Sequence, residues 1–508
     1  LLLMEVTNES TGPAAEKPAL YVDGGIHAAE LTGSAVALHL LGHLLQEYGS
    51  DARVTRSLDE RAFYIRPKFN PDGSDLVLIH DQFLRSSRRP VDEDGDGLFD
   101  EDPPEDLDGD GWITSIRVPD AAGGYYAHPD DSRLLVEIED DAPAPAGAAR
   151  YRVLREGLDN DGDGFINEDG FGGNDMNRNF PRNWERIHLQ PGSGPFPLSE
   201  PETRATVRFL TDHPNVTGIV HGHTSGGFVY RLPSASAPSL FPEEDLEVIE
   251  HLGAEYTRST GRPVVPSATH PTEHRYGTLI SWGYWDGGVI GWVPEYSPGP
   301  ESWVADYDGD GEIGPREEMR HNEEELGGRY FSPWTPYEHP QLGAVEIGGW
   351  HSKLWGQNPP SEHLEAETAA QLAWHLYLAE QSPLLTLSEP RIEALDGGRS
   401  RVSVTVGNQG WLPTSLTGRG AVGRDDDGEL VHQVVRPPHV TLEVDGDVSV
   451  EGPPRVKVGH LRGTGPFLGA IGPGSRTASW MVRGSGRVRV VAEADKGGTR
   501  RSAWTSVR

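Results

Sequence analysis

Residues 19–48 read ALYVDGGIHAAELTGSAVALHLLGHLLQEY, and this stretch decides the fold class. Its first part, 19–26, is an apolar run that ends in a glycine turn, which is typical of a buried strand. Residues 31–48 repeat apolar side chains at helical spacing, and Gly49 supplies a stop signal. Residues 61–67 predict a second strand. A strand, a helix and another strand in succession indicate an α/β layer architecture.

The same alternation continues along the chain, and three insertions interrupt it. Further strands are predicted at 215–222 and 288–294, and further helices at 199–213, 243–259 and 361–381. The insertions, at 91–120, 155–175 and 302–326, are acidic and rich in glycine, with too few apolar residues to build a core alone. From residue 384 onward, segments alternate with a period of two between Gly/Pro turns, which predicts an all-β sandwich. We therefore expect an α/β domain over 1–383 and a β-sandwich domain over 384–508.

Composition excludes several classes of partner and site. The 508 residues include 44 Lys+Arg and 79 Asp+Glu, so the formal net charge is −35. A field of this sign repels phosphate backbones and anionic lipids, which argues against nucleic-acid and membrane-surface partners. The chain has no cysteine, so a transition-metal site must use His, Asp or Glu. No apolar run is long enough to span a bilayer.

The first residues give little information on cellular location. The chain opens LLLMEVTNES, without a charged region or cleavage site of the secretory type. We expect from this opening that the sequence lacks its natural N-terminal part.

His27 and Glu30 form the first chemical signal. They lie three residues apart at a strand-to-helix corner, where both side chains can turn toward one ion. A lone pair of this kind is weak evidence, but an ordered series of motifs follows it. The series consists of Asn70-Pro71-Asp72-Gly73, Arg85, Asn177-Arg178-Asn179-Phe180, Ser199-Glu200-Pro201-Glu202, His223, Trp282 and Glu295.

In order and spacing this series resembles the zinc carboxypeptidases of the carboxypeptidase A type. The resemblance covers about 20–381, excluding the insertions, and implies a mixed sheet flanked by helices. It implies that His27, Glu30 and His223 bind one catalytic zinc ion. It further implies that Arg85 polarises the scissile carbonyl, that Asn177 and Arg178 hold the substrate's C-terminal carboxylate, and that Glu295 is the general base.

Three assignments within the resemblance leave alternatives open. His221 is a rival third ligand, since it lies two residues from His223 on the same predicted strand. Tyr276 is the candidate for the tyrosine that caps the substrate, although strict spacing from Glu295 lands on Glu273. Ile280 is expected at the base of the side-chain pocket, where an aliphatic residue favours apolar or aromatic substrates.

Four short acidic loops predict calcium binding. Asp306, Asp308 and Asp310 alternate with a glycine turn, and Glu317 at the twelfth place completes the EF-hand pattern. Three other loops begin in the same way but lack the twelfth-place Glu. Their acids are Asp92, Asp94 and Asp96; Asp106, Asp108 and Asp110; and Asp159, Asp161 and Asp163. We expect several structural Ca²⁺ ions, which would fold insertions that have no core of their own.

Together these patterns predict a secreted or periplasmic zinc exopeptidase, acting as a monomer on peptides that have a free C-terminal carboxylate. Apolar or aromatic C-terminal residues are the expected substrates. An alternative on the same fold is an enzyme that trims cell-wall peptides, or an amidase. An inactive binding protein on this scaffold is disfavoured, because the sequence retains all three ligands and the base.

Overall fold

The computed structural model describes residues 2–92, 95–139, 144–234, 241–267, 275–421 and 434–508. Asp94, one of the predicted calcium ligands, and Glu273, the rival to Tyr276, lie outside these ranges. None of the helices in the described ranges combines the length and apolar character needed to cross a membrane.

A seven-stranded mixed sheet forms the centre of the molecule and confirms the expected fold class. In spatial order its strands are β1 (Met4–Val6), β3 (Ala62–Arg66), β2 (Ala19–Gly24), β8 (Val216–Thr224), β11 (Ile290–Tyr296), β9 (Phe228–Arg231) and β10 (Val264–Pro266). Strands β3, β2, β8 and β11 are parallel, β1 is antiparallel to β3, and β9 is antiparallel to β11 and parallel to β10. The parallel strands therefore present their carboxyl ends at one edge.

Helices cover both faces of this sheet. They are α1 (Leu31–Glu47), α2 (Ala52–Glu60), α3 (Pro71–Ile79), α4 (Pro201–Asp212), α5 (Glu243–Thr260), α6 (Leu279–Trp285) and α8 (Ser361–Glu380). Strand β2 shows why both faces need cover: Leu20 and Val22 face the cluster that includes α1, while Ala19 and Tyr21 face a second cluster. A strand buried on both faces reads as a continuous apolar run, as 19–22 does.

A second sheet, which the sequence did not predict, is formed by segments within the first insertion, between the first and second insertions and after the third. Its antiparallel strands are, in order, β12 (Phe331–His339), β13 (Gly343–Trp350), β4 (Ser115–Pro119), β7 (Arg150–Arg155), β5 (Tyr125–His128) and β6 (Asp131–Glu137). Helix α7 (Pro315–Glu324) packs near it. Ile116, Val345 and Ile347 form a small buried cluster. Only Ile116 of this cluster lies within an insertion, so that insertion contributes to a core jointly with β13 and does not build one alone.

The C-terminal region is all-β, as expected. Its strands are β14 (Leu385–Leu387), β15 (Arg391–Leu395), β16 (Arg399–Asn408), β17 (His439–Glu451), β18 (Arg455–Lys457), β19 (Ser475–Ala494), β20 (Gly498–Arg501) and β21 (Thr505–Val507). All eight belong to one hydrogen-bonded sheet. Six even-numbered residues of β19 contribute to one apolar core: Ala478, Trp480, Val482, Val488, Val490 and Ala492.

This region also packs against the α/β part. Leu412, Leu416 and Leu468 belong to the same apolar cluster as residues of α1 and α5. The Lys496 Nζ atom donates a hydrogen bond of 2.7 Å to the carbonyl of Val216, the first residue of β8. Helix α9 (Gly418–Ala421) begins at a backbone N–H that donates to the buried Asp245 carboxylate of α5. The two parts therefore share buried contacts, both apolar and polar.

Helix α1 meets the sheet at glycines. A Cβ at Gly33 of α1 would lie 2.7 Å from the carbonyl oxygen of Gly222 on β8, and one at Gly24 on β2 would lie 2.2 Å from the Gly33 carbonyl carbon. The helix backbone therefore rests directly against two strand backbones, which only glycine permits. Glu30, the residue before α1, is positioned by this contact.

We predict that Gly33→Ala destabilises the protein by about 1–3 kcal/mol, because the added methyl group forces α1 away from β8. Urea unfolding measures the change. The matched control is Gly42→Ala in the same helix, where a Cβ meets nothing within 4 Å. That change should be neutral or stabilise the helix by up to about 1 kcal/mol. Equal stabilities for the two variants would contradict the close contact.

Candidate metal centre

Three buried side chains from two chain segments, the β2–α1 connection and β8, meet at the carboxyl edge of the sheet. His27 follows β2, Glu30 immediately precedes α1, and His223 lies near the end of β8. Strands β2 and β8 are parallel neighbours, with Gly24 paired to Gly222. Both strands therefore end at the same edge of the sheet, where the three side chains lie.

The distances between ligand atoms suit a single tetrahedral ion. His27 Nδ1 lies 2.7 Å from Glu30 Oε1, and His223 Nδ1 lies 2.9 Å from Glu30 Oε2. The two imidazole Nδ1 atoms are 3.1 Å apart. Ligands about 2.1 Å from a tetrahedral zinc ion would be separated by roughly 3.4 Å, so a small outward movement accommodates the ion. Two imidazoles and one carboxylate are also a donor set that zinc uses in catalytic sites.

The His27 imidazole is oriented by an acceptor on its other nitrogen, whereas His223 Nε2 faces an amide N–H donor. His27 Nε2 lies 3.0 Å from Asp175 Oδ1, and His223 Nε2 lies 3.3 Å from Asn177 Nδ2. A carboxylate behind a ligating histidine fixes its ring and raises its basicity. The sequence analysis missed Asp175. The sequence feature that could have pointed to Asp175 is its position two residues before Asn177, in the Asn177-Arg178 pair.

The charges of the cluster are arranged around a buried carboxylate. Burial alone lowers the pKa of His27, but the negative charges of Glu30 and Asp175 outweigh it and raise the net value above 6.5. Burial lowers the pKa of His223 to about 3 despite the attraction of Glu30. The pKa of Glu30 is held below its usual range, because the two imidazoles overcome the effect of burial. Zinc binding therefore competes with protonation of His27.

His221 is separate from this cluster. It is completely buried, and its Nδ1 lies 2.6 Å from Asp23 Oδ1. In the strand register Asp23 is paired with His221, one step before the ligand-bearing end of β8. Of the two histidines weighed from the sequence, the structure therefore groups His223 with His27 and Glu30.

Arg85 and Glu295 lie on the wall of the same cleft. The Arg85 guanidinium is half exposed, and it contacts Asp175 Oδ2 at 2.9 Å and Glu30 Oε1 at 3.4 Å. Glu295 on β11 is paired with His223 in the parallel register. Burial, together with the nearby charge of Glu30, raises the pKa of Glu295 to about 8. A carboxyl group tuned in this way suits a base that later acts as an acid.

Asn177 and Arg178 also line the cleft, on a short turn over Met176–Arg178. Arg178 is buried, and its Nη1 donates to the Asn177 carbonyl at 3.0 Å. The Asn177 amide oxygen accepts from the N–H of Leu279.

The cleft has a volume of about 800 Å³, and the three candidate ligands His27, Glu30 and His223 lie on its wall. Ile280 contributes to the lining, together with Val293, Phe228 and Tyr230. Tyr276 is not among the described lining residues, and its backbone N–H donates to Gln190 Oε1. Its expected role as a cap over the substrate stays a prediction.

The acidic loops share one conformation. In the described loops, the first Asp accepts hydrogen bonds from two glycine N–H groups; for Asp306 these belong to Gly309 and Gly311. Asp92, Asp106 and Asp159 make the same pair of contacts. These N–H groups hold the chain in a tight turn, and carboxylates of two loops come together there, Asp106 with Asp108 and Asp161 with Asp163.

Glu156 is a residue that the sequence analysis missed. Its oxygens accept from the N–H groups of Leu107 and Thr114, the second and ninth residues of the loop that begins at Asp106. Glu317 makes the same two contacts in its own loop, to Tyr307 and Gly314. Glu156 thus occupies the twelfth-place position from a distant part of the chain. Oxygens of Asp106, Asp108 and Glu156 lie within 4.8 Å of one another.

Comparisons with known proteins identify two regions. A family model described as zinc carboxypeptidase matches residues 1–298, and one described as a domain of unknown function (DUF8731) matches 384–505. Among solved structures, the crystal structure of thrombin activatable fibrinolysis inhibitor (TAFI) is similar at 16% identity and a TM-score of 0.42. That match covers 74% of this chain and 64% of the other.

Curated relatives match shorter segments. Carboxypeptidase A2 of Rattus norvegicus is 32% identical over 134 residues, which are 26% of this chain and 31% of that protein. Inactive metallocarboxypeptidase ECM14 of Saccharomyces cerevisiae is 38% identical over 74 residues, 15% of this chain and 17% of that protein. The chain thus spans less than a third of the length of either relative.

We predict that Asp175→Asn weakens zinc binding by about 10- to 100-fold, because the amide no longer fixes His27 as an anionic acceptor does. Competition with a chromophoric chelator measures the affinity. Asp23→Asn is the matched control, since it alters another buried Asp–His pair outside the three-ligand cluster. It should leave zinc affinity unchanged. A comparable loss in both variants would argue against a specific role for Asp175.

Proposed function

The chain belongs to the zinc carboxypeptidase family, and we propose that it is an active metallocarboxypeptidase that removes C-terminal residues from peptides. One observation carries this proposal: the three-ligand cluster, Arg85, Glu295 and the Asn177-Arg178 pair line one cleft. A family relative can be inactive, so the presence of a ligand set and a tuned base in the same cavity is the relevant support.

In this proposal His27, Glu30 and His223 hold the metal, and Asp175 keeps His27 in the ligating orientation. Zinc, when bound, supplies Lewis acidity that activates water and polarises a carbonyl. The donor set found here fits that ion, as two neutral imidazoles and one carboxylate leave a fourth position open.

Glu295 is the proposed general base. It would take a proton from the attacking water and deliver it to the nitrogen of the leaving amino acid. Its raised pKa supports this double role. A carboxyl group with a pKa of about 8 can accept and release a proton without a large change in free energy. Arg85, whose guanidinium is half exposed at the cleft wall, would stabilise the oxyanion that forms on the scissile carbonyl.

The proposed substrate carries a free C-terminal carboxylate. Arg178 is a buried cation at the cleft wall, and a guanidinium can hold a carboxylate through two parallel hydrogen bonds. Asn177 adds an amide beside it. Ile280 and Val293 give the neighbouring wall an apolar surface, which supports a preference for apolar or aromatic side chains.

We further propose that the acidic loops bind structural calcium. The loop at 306–317 has the complete set of EF-hand carboxylates, and Glu156 offers the missing closing carboxylate to the loop that begins at Asp106. Calcium prefers six to eight oxygen ligands, which these loops can provide with their backbone carbonyls. Calcium at extracellular concentrations would suit such sites, which supports a secreted or periplasmic location. We also propose that the protein acts as a monomer.

We predict that the zinc-loaded protein hydrolyses blocked dipeptides with apolar C-terminal residues, and that Glu295→Gln lowers kcat by at least about 100-fold. The amide cannot accept the proton of the attacking water, while zinc content should stay unchanged. Glu301→Gln, an exposed site on the following turn, is the matched control and should keep full activity.

The same assay tests the substrate class. Amidation of the C-terminal carboxylate should abolish hydrolysis, because Arg178 loses its anionic partner. Full activity of Glu295→Gln would overturn the assigned base. Hydrolysis that persists after zinc is removed would overturn the proposed mechanism.

We predict that Glu156→Gln abolishes one calcium site and reduces the rise in melting temperature that calcium causes. The neutral amide offers one oxygen where the carboxylate offers two charged ones. Calorimetric titration with CaCl₂ counts the ions. The control is Glu324→Gln, whose side chain is 54% exposed on α7. An unchanged ion count in Glu156→Gln, or a wild-type melting temperature that is insensitive to chelation, would refute the prediction.

A further inference from the structure

Asp102 is a buried carboxylate between two acidic insertions. It is the eleventh residue counted from Asp92, and its side chain is completely buried. Its Oδ1 accepts a hydrogen bond of 2.6 Å from the N–H of Asn160, in the second insertion. Its Oδ2 is buried without a hydrogen-bond donor among the described residues. Burying a carboxylate oxygen without a hydrogen-bond partner costs free energy. A cation bound to this atom would offset that cost.

Asp102 has three further acids close by: Glu168, which is within hydrogen-bonding reach, Asp159 and Asp161. Carboxylate oxygens of Asp102, Asp159 and Asp161 lie within 4.8 Å of one another. Three negative charges at this separation repel in a buried site unless a cation lies between them. Asp159 and Asp161 are the first and third residues of their loop, where an EF-hand loop places its first two ligands.

The loop that begins at Asp159 has Gly170 at its twelfth place, where the complete loop has Glu317, and its own Glu168 at the tenth place lies with Asp161 and Asp163. In the complete loop, Glu317 accepts from the N–H of the second residue, Tyr307. Asp102 accepts from the N–H of the second residue of the Asp159 loop, which is Asn160. It therefore stands where the closing carboxylate is needed.

We propose that Asp102, Asp159 and Asp161 bind one calcium ion, which joins the first acidic insertion to the second. This inference rests on the proposed calcium binding of the loops, and it assigns Asp102 to a loop other than its own. The backbones of the two insertions also meet, since the N–H of Asp102 donates to the carbonyl of Asp169 at 3.0 Å.

The shared ion would act close to the metal centre. The first insertion begins soon after Arg85, and the second ends at Asp175. These two residues are in direct contact. Between them, the N–H of Ser87 donates to the Asn174 carbonyl, and the N–H of Gly172 donates to Asp100 Oδ1. An ion at Asp102 would therefore hold together the two chain segments that carry Arg85 and Asp175.

Calcium titration of the full zinc-loaded chain tests the assignment, with CaCl₂ as the probe. Asp102→Asn and Asp159→Asn should each lose one bound ion, or weaken its binding by at least about 10-fold. If both residues hold the same ion, the double variant should lose no more than either single variant. Asp159 is only partly buried, so its variant keeps the test valid if Asp102→Asn fails to fold.

Two comparisons decide the outcome. An additive loss of two ions in the Asp102/Asp159 double variant would overturn the shared site, and so would an unchanged count in Asp102→Asn. An Asp92/Asp102 double variant that loses only one ion would instead assign Asp102 to its own loop, which also overturns it. Asp212→Asn, with a 64% exposed side chain on α4, is the charge-matched control.

The controls separate this inference from the proposals on which it rests. A wild-type protein that binds no calcium would overturn calcium binding by the loops as a whole. A wild-type protein that hydrolyses no peptide would overturn the proposed activity, and the number of bound calcium ions would remain an independent readout.

Discussion

The contact between Gly33 of α1 and Gly222 of β8 is the constraint on which the metal centre depends. Glu30 lies three residues before Gly33, and His223 lies one residue after Gly222. Because two backbones touch there without intervening side chains, the separation between these two ligands is set by covalent geometry and a van der Waals contact. Side-chain packing elsewhere can vary without moving them. The glycine turn after β2 brings His27 to the same place.

The excess of acidic residues divides into two groups with different partners. Glu30 and Asp175 are buried beside imidazoles and the Arg85 guanidinium, so protein cations compensate them. The carboxylates of the acidic loops instead face one another and backbone N–H groups. Burial, with the charges of Asp102 and Asp163, raises the pKa of Glu168 to about 7. The net charge of −35 is therefore concentrated where ions from solution would complete the fold.

Local pattern predicted most of the central fold. The apolar periodicity of 31–48 and 361–381 gave helices that the structure has at Leu31–Glu47 and Ser361–Glu380. The short helix at Pro71–Ile79 was missed, although Asn70 caps it and Pro71 begins it, because those residues were interpreted only as a motif. The six-stranded sheet could not be predicted in this way. Its strand β4, at 115–119, pairs with β13, at 343–350, and local pattern does not reveal a pairing over that distance.

The residues of the candidate site also differ in whether local sequence pattern could predict them. The ordered motifs brought out His27, Glu30 and His223, because spacing along strands and at strand ends is a local property. Glu156 and Asp175 were not found. Their significance arises only when distant segments meet, and no spacing rule connects Glu156 with a loop that starts fifty residues earlier. The placement of Tyr276 likewise depends on tertiary contacts of its loop.

The buried Lys496 amine has a consequence for how the C-terminal region is to be regarded. Burial lowers its pKa to about 8, and its hydrogen bond ends on the carbonyl at the start of β8, the strand that bears His223. A chain cut before residue 384 would leave that carbonyl unsatisfied and would open apolar surface around α5 to water. We therefore expect that the C-terminal region cannot be deleted without destabilising the α/β part. It forms part of the solvent-excluding shell around the sheet, and swapping it for another β module would require redesign of both surfaces.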